Sequence, residues 1–318
     1  MKLSIVIVNW NSKELLKNCL SSLREYHDLR DINVIVVDNA SRDGSTQMVE
    51  ASFPEVRVIH SGGNVGFGKA NNMAIKTAPT PYILLLNPDT TVFPDTIEQM
   101  TGFMDSNPSV GGLGCRMVFP TGETQPIGLQ WFPSPLTEFL GLVLVSDKTF
   151  HLLRNIIPYK DPDSSGYVSK LYGGCLLIRK AVFDQIGYFD EQFFMYGEDV
   201  DLCRRITDAG WKLYYLSSAK IIHLCGGATE QSLNDFPILM RCESIGKLMR
   251  KYHGVSGRFL YRMGTFGGSC FRLLTLMTLR ILSLPSSSFN TLNYVKANHK
   301  YATMIKWSLF LRKPAVNQ

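Results

Sequence analysis

The segment Tyr196-Gly197-Glu198-Asp199-Val200-Asp201-Leu202-Cys203-Arg204-Arg205 sets three carboxylates and two guanidiniums around the expected start of a helix. Carboxylates held together repel one another, so such a cluster points to a metal, a cationic ligand or a proton-transfer task. A base must reach a hydroxyl and stay ionised, which favours Asp199 with Glu198 close behind, while Asp201 in the first helical turn can offset the helix dipole. Arg204 and Arg205 can pair with these acids or reach a phosphate, and pairing is the simpler role. A separate carboxylate, Asp89, closes Leu84-Leu85-Leu86-Asn87-Pro88-Asp89. It can ligate Mg²⁺ or Mn²⁺ while the ion bridges diphosphate oxygens, or it can simply cap a helix. His223, at another expected strand end before Gly226-Gly227, suits a metal ligand or a substrate contact, or else a hydrogen-bonded core position.

Asp38 ends Val36-Val37-Asp38-Asn39-Ala40-Ser41-Arg42-Asp43-Gly44-Ser45. A carboxylate there can accept a pyrimidine N–H or ribose hydroxyls, or the run can be a plain strand-to-helix loop capped by Ser45. Gly62-Gly63-Asn64-Val65-Gly66-Phe67-Gly68 lets backbone approach a ligand closely and leads into a helix whose amides can meet phosphate. It follows the third expected strand, whereas a dinucleotide fingerprint follows the first, so a nicotinamide dehydrogenase is disfavoured.

These residues need a scaffold. Apolar runs at Leu3–Val8, Asn33–Val37, Val56–Ile59, Tyr82–Leu86 and Val110–Cys115 predict strands. Helical stretches separate them, one opened by Ser12 and another by Pro94. Strands of this kind predict an α/β fold with a mostly parallel sheet covered by helices on both faces, and ligands at the carboxyl ends of the strands. Asn9, Asp38, Asn39, Asn87 and Asp89 all fall at such ends. From Arg116 to about Lys170 the pattern weakens, predicting a hairpin and a loop-rich insertion. Strands are expected again at Gly173–Arg179, Trp211–Leu216 and Ala219–Leu224, with a helix from Lys180. Beyond residue 240 the pattern is helical, with a Pro/Ser break at 284–288.

The 318 residues suffice for one large α/β domain with an appendage. Charge divides the chain near residue 240. Residues 240–318 carry 13 Lys and Arg against one acid, Glu243, a net of +12, which leaves 20 basic and 26 acidic residues, or −6, for 1–239. We therefore expect a catalytic region over 1–239 and a basic helical region over 240–318. A basic region can serve anionic lipid, a phosphorylated partner or nucleic acid. No stacking platform or nucleic-acid motif accompanies it, so nucleic acid is not expected. Its stretch Phe271–Leu282, punctuated by Arg272 and Arg280, falls short of the ~20 apolar residues that span a bilayer. It suits the membrane interface or a helix packed on the catalytic region. Seven scattered cysteines without a Cys-x-x-Cys pair fit reduced thiols, and the short run Leu3–Val8 is too brief for a signal-peptide core. The expected location is cytoplasmic, peripheral on the inner face of the cell membrane.

In order, Ser4–Asn11, Val37-Asp38-Asn39, Asn64-x-Gly66-Phe67-Gly68, Leu86-Asn87-Pro88-Asp89, Gly173-Gly174, Glu198–Arg205 and His223 resemble the family 2 glycosyltransferases, particularly their rhamnosyltransferase-like branch. The resemblance covers about residues 3–230. It implies a GT-A fold and inverting transfer from a nucleoside-diphosphate sugar. Asp38 would hold the base or ribose, with Asn9, Asn64, Gly66, Phe67 and Asn87 completing the donor site. Asp89 would take the last carboxylate position of the family's Asp-x-Asp metal motif, and Asp199 would deprotonate the acceptor hydroxyl. Asn87 replaces the first Asp of that motif, which leaves fewer carboxylates for Mg²⁺ or Mn²⁺ and gives His223 a larger part. Gly173, Gly174 and Arg204 would meet acceptor or phosphate. Within the branch, dTDP-L-rhamnose is the leading donor and a polyprenyl-diphosphate-linked saccharide of O-antigen or related polysaccharide the leading acceptor; UDP-sugars are the alternative donors. A pyrophosphorylase is disfavoured by the lack of a glycine-rich phosphate loop after the first strand, and a noncatalytic binding protein by the intact carboxylates at 89, 198 and 199.

Overall fold

The computed structural model describes residues 1–126, 131–144, 160–224, 234–283 and 291–314. Four parallel strands, β1 (Leu3–Asn9), β2 (Asn33–Asp38), β3 (Arg57–His60) and β4 (Tyr82–Leu86), start one nine-stranded sheet. Its spatial order is β3-β2-β1-β4-β8-β6-β9-β5, where β5 is Thr90–Val92, β6 is Val110–Val118, β8 is Cys175–Arg179 and β9 is Lys212–His223; β7 (Gly166–Val168) pairs with β9. β8 runs antiparallel to both β4 and β6, and β5 and β7 oppose β9, so six of the nine strands share one direction. The expectation of a mostly parallel sheet is met, with the reversed β8 set in its middle.

Alternation along the strands sends successive side chains to opposite faces. Ile5, Ile7, Val34, Val36, Leu84 and Leu86 pack beneath α1 (Lys13–Tyr26), α2 (Ser45–Ser52) and α4 (Thr96–Ser106). Val6, Val8, Ile35, Val37, Ile83 and Leu85 pack beneath α3 (Phe67–Ile75), α6 (Lys180–Ile186) and α7 (Glu198–Asp208). Burial on both faces explains why these strands read as unbroken apolar runs.

Several expectations are corrected. The insertion contains a helix, α5 (Pro135–Leu144), where loops were expected. The two strands expected at 211–216 and 219–224 are one, β9, whose pairing with β6 jumps between Cys115 and Arg116. Ser45 is the first residue of α2; Gly44, at φ 79°, holds the cap position. Ser12 precedes α1, but its hydroxyl turns back to the Trp10 carbonyl. The hairpin after β6 does form, with the Phe119 N–H donating to the Glu123 carbonyl.

The division expected after residue 239 falls inside α8 (Asp235–Ser283), which is broken at Gly254 (φ 69°). Together with α9 (Thr291–Ser308), α8 builds a third core around Trp307, Met249, Leu248 and Tyr261, and Phe193 and Val200 of the catalytic region share it. The Pro/Ser break at 284–288 lies outside the described residues. Five of the six described cysteines are buried, and all six are free thiols.

Candidate active site

The strand ends bring the expected residues together from the sheet outward. Asn9 and Asp38 are register partners at the ends of β1 and β2, and the Asn39 N–H donates to the Asn9 carbonyl at 2.8 Å. Asn9 is fully buried; its Nδ2 donates to Ser41 Oγ, while its Oδ1 is buried without a partner among the described residues. Asp38 accepts weakly from the Ser41 N–H at 3.3 Å and faces His60 Nδ1 at 3.9 Å. His60 was not singled out from the sequence; it stands there because β3 ends in register with β2.

The glycine-rich loop is tied to this corner. Asn39 Nδ2 donates to Asn64 Oδ1 at 2.9 Å, and the Val65 N–H donates to Asn39 Oδ1. Gly66 has φ 87°, and a Cβ there would stand 2.4 Å from the Phe194 carbonyl oxygen, so the position accepts only glycine. The Phe67 N–H donates to that same carbonyl at 2.8 Å. The loop is thereby sewn to the segment that leads into α7.

Gly173-Gly174 lies between the two acidic centres. A Cβ on Gly173 would stand 3.6 Å from Phe67 Cε1 and 3.8 Å from Asp199 Cβ; one on Gly174 would stand 3.6 Å from Asn87 Nδ2. The Asn87 N–H donates to the Gly174 carbonyl at 3.0 Å. The Met117 side chain packs on Gly174 as well, its Cε 3.4 Å from where a Cβ would stand.

Asp89 sits in the turn between β4 and β5 rather than at a helix cap. Its Oδ1 is 3.4 Å from His223 Nε2, because antiparallel pairing of β5 and β9 sets His223 opposite Thr90. Gln125, which the sequence reading passed over, orients the imidazole. Its Nε2 donates to the His223 carbonyl at 2.5 Å, which turns Oε1 toward His223 Nδ1 at 3.1 Å. Gln125 thus faces Nδ1, and Nε2 is the ring nitrogen that faces the Asp89 carboxylate. Two electron-pair donors at 3.4 Å suit a cation shared between them. One carboxylate and one imidazole fit Mg²⁺ or Mn²⁺, which take only a few protein ligands and complete their shell with phosphate oxygens and water. Among the described residues no group of three or more His, Cys, Asp or Glu could hold a metal ion. Gly226-Gly227, beyond His223, lies outside the described residues.

Across the glycine pair, Glu198 and Asp199 begin α7 after two left-handed residues, Tyr196 (φ 66°) and Gly197 (φ 84°). Glu198 is buried with Oε2 lacking a partner among the described residues. Burial, reinforced by the Asp199 charge, pushes its carboxyl up to about 8. Asp199 is partly exposed and accepts from the Val200 N–H at 2.8 Å and the Gly173 N–H at 3.4 Å. Burial raises it too, opposed by those N–H groups and by Lys170. Of the two, Asp199 is the one with N–H donors aimed at its carboxylate.

The remaining members of the cluster are structural. Asp201 is fully buried and bonded to Arg205, Lys251 and Tyr252. Arg204, expected to meet acceptor or phosphate, turns elsewhere. It pairs with Asp208 at 2.9 Å, one turn along the helix, and stacks over Phe132 and Tyr252.

Comparison with known proteins agrees with this geometry. The family model described as Glycosyl transferase family 2 matches residues 4–187, more than half of the chain. Over 238 residues the chain is 32% identical to the N-acetylglucosaminyl-diphospho-decaprenol L-rhamnosyltransferase of Mycobacterium tuberculosis, covering 70% of this chain and 75% of that one. The rhamnosyltransferase WbbL of Escherichia coli is 28% identical over 226 residues, covering 69% and 82%. In architecture the chain is similar to the mannosyltransferase PcManGT from Pyrobaculum calidifontis, solved with GDP-Man and Mn²⁺, at a TM-score of 0.61 and 14% identity, covering 98% of this chain and 86% of that one. The fold is thus the GT-A type, and the chain is a member of glycosyl transferase family 2, a glycosyltransferase.

Proposed function

We propose that this enzyme moves L-rhamnose from dTDP-L-rhamnose onto a hydroxyl of a saccharide carried on a polyprenyl diphosphate, in the building of O-antigen or a related surface polysaccharide. The observation that carries the reaction is that Gly173-Gly174 borders Asp199 on one side and Asn87 on the other, in the turn whose Asp89 pairs with His223. The names of the relatives support the transferred sugar and the lipid-diphosphate acceptor class.

Asp199 takes the proton of the acceptor hydroxyl as that oxygen bonds to the anomeric carbon. The bond from the anomeric carbon to the donor diphosphate breaks in the same displacement, so the configuration inverts and no covalent enzyme intermediate forms. Glu198 holds its own proton near neutral pH and so lets the charge reside on Asp199. Asp38 accepts hydrogen bonds from the nucleobase or ribose, with Asn9 beside it and the Asn64–Phe67 loop along the donor. Asp89 and His223 would hold a divalent ion, which would supply positive charge for the departing nucleoside diphosphate. Gln125 keeps the His223 ring turned toward that position.

The enzyme works at the inner face of the cell membrane. No helix among the described residues is long and apolar enough to cross a bilayer. Instead α8 exposes Phe271, Leu274, Met277, Leu279 and Ile281 on a region of net positive charge, which suits an anionic lipid surface.

Calorimetric titration of dTDP-L-rhamnose, UDP-galactose, UDP-glucose and UDP-N-acetylglucosamine, with Mn²⁺ and then with chelator, tests the donor. Metal-dependent preference for dTDP-L-rhamnose is expected, and preference for a UDP-sugar would replace it. Asp199→Asn should leave donor affinity intact and lower turnover by roughly a hundredfold to ten-thousandfold. Unchanged turnover would remove Asp199 as base, and donor binding without any transfer by the wild type would mark a noncatalytic site.

A further inference from the structure

The two apolar cores of the sheet each send one side chain to the glycine pair before β8. Phe67 packs against the core beneath α3, α6 and α7, and Met117 against the core beneath α1, α2 and α4. Around the place a Cβ on Gly174 would take, Met117 Cε stands at 3.4 Å, its Sδ at 3.5 Å and Asn87 Nδ2 at 3.6 Å. Around the matching place on Gly173, Phe67 Cε1 stands at 3.6 Å and Asp199 Cβ at 3.8 Å. Each glycine is thus met by one apolar and one polar side chain.

The backbone of Met117 is fixed by the residue that also turns His223. Gln125 donates its backbone N–H to the Met117 carbonyl at 2.8 Å and its Nε2 to the His223 carbonyl. Met117 is also the register partner of Ile221 in β9, two residues before His223. It is half-buried, whereas its neighbour Val118 is closed inside. A thioether is a weak acceptor and no donor, and it packs readily on aliphatic groups.

With Asp199 as base and Asp89 beside the diphosphate, the transferred sugar has to lie between them. Asp199 borders Gly173, and Asn87, in the same turn as Asp89, borders Gly174. L-Rhamnose carries a methyl at C6 where its hydroxylated counterpart L-mannose carries a hydroxymethyl. A hydroxyl pressed against a thioether gives up water without gaining a partner.

We propose that Met117 is a specificity-determining residue that touches the C6 methyl of the donor sugar. The inference rests on the rhamnosyl-transfer reading above and adds which side chain tells a 6-deoxy sugar from a hexose. Phe67 forms the second apolar wall, and Asn87 meets the ring hydroxyls.

The test is equilibrium binding to the full chain, with Mn²⁺, of dTDP, dTDP-L-rhamnose, UDP-glucose and dTDP-L-mannose, which differs from the rhamnose nucleotide only by the hydroxyl on C6. The wild type should prefer dTDP-L-rhamnose to dTDP-L-mannose by about tenfold to a hundredfold. M117Q puts an amide in place of the thioether and should bring the two within about threefold, while M117L keeps the preference. The methyl added by G174A makes ordinary contact with Met117 and Asn87, so the fold accepts it. It should weaken dTDP-L-rhamnose by at least about tenfold and leave dTDP affinity and the unfolding transition as they are. Equal binding of the two dTDP-sugars by the wild type, or an unchanged preference in M117Q, overturns the proposal. Should M117Q fail to fold, undiminished affinity of G174A for dTDP-L-rhamnose overturns it. Tighter binding of UDP-glucose than of dTDP-L-rhamnose by the wild type refutes the donor reading and this inference together, whereas a rhamnose preference indifferent to Met117 refutes this inference alone.

Discussion

Glu198 and Asp199 are chain neighbours in unlike surroundings. Glu198 points into the protein with an unbonded oxygen, whereas Asp199 has two N–H donors and an opening beside glycines. The folded state therefore keeps on Glu198 a proton that the unfolded chain releases near 4.5, and releases it only at about 8. Between these values the folded state binds more protons than the unfolded one, so Glu198 makes stability fall as pH rises through that window. Glu198→Gln should flatten this fall. Its melting temperature should gain on the wild type by several degrees from about pH 5 to about pH 8 in scanning calorimetry. Parallel curves would mean that Glu198 is ionised in the fold. The acids announced themselves in the sequence by their crowding. Gln125 did not, because a lone glutamine gains its meaning only from the imidazole 98 positions away that it orients.

At the scale of elements, α7 is braced by α8. Asp201 Oδ1 meets Lys251 Nζ at 2.6 Å and the Tyr252 hydroxyl at 2.7 Å, and its Oδ2 meets Arg205 at 2.8 Å. Lys251 also pairs with Asp190, and Ser244 donates to the Met195 carbonyl just before the left-handed turn at Tyr196 and Gly197. The first half of the basic region thus holds the helix that carries Asp199. Asp201→Ala removes the buried acceptor shared by Arg205, Lys251 and Tyr252 and should cost about 1.5–3 kcal/mol in urea unfolding. A loss under about 1 kcal/mol would show that the bracing is supplied elsewhere. Charge composition alone separated this region from the catalytic one, since a count of lysines does not reveal which of them turn inward.

Over the whole molecule, an acidic sheet domain is joined to a basic helical layer with exposed apolar side chains. The stretch from Phe271 read equally as a packed helix or an interfacial one; exposure of Phe271, Leu274 and Met277 favours the second. The wild type should sediment with phosphatidylglycerol vesicles and release them at high salt. F271S/L274S/M277S should stay in the supernatant with donor affinity unchanged, and undiminished sedimentation would assign membrane binding to another surface.

Unbroken β-branched runs, helical spacing and polar residues at strand ends already determined the α/β sheet, its two helical layers and the edge where ligands belong. Those signals are local, because burial on both faces leaves its mark within five or six consecutive residues. Tertiary structure decided the rest. Antiparallel pairing of β5 with β9 carried His223 to Asp89, the register of β3 carried His60 to Asp38, and packing of α8 against α7 brought Lys251 and Tyr252 to Asp201. Docking of α7 against its neighbours also set Arg204 over Phe132 and Tyr252. Contacts between residues tens to hundreds of positions apart depend on strand order and helix docking, and neither composition nor spacing along the chain encodes those in any single segment.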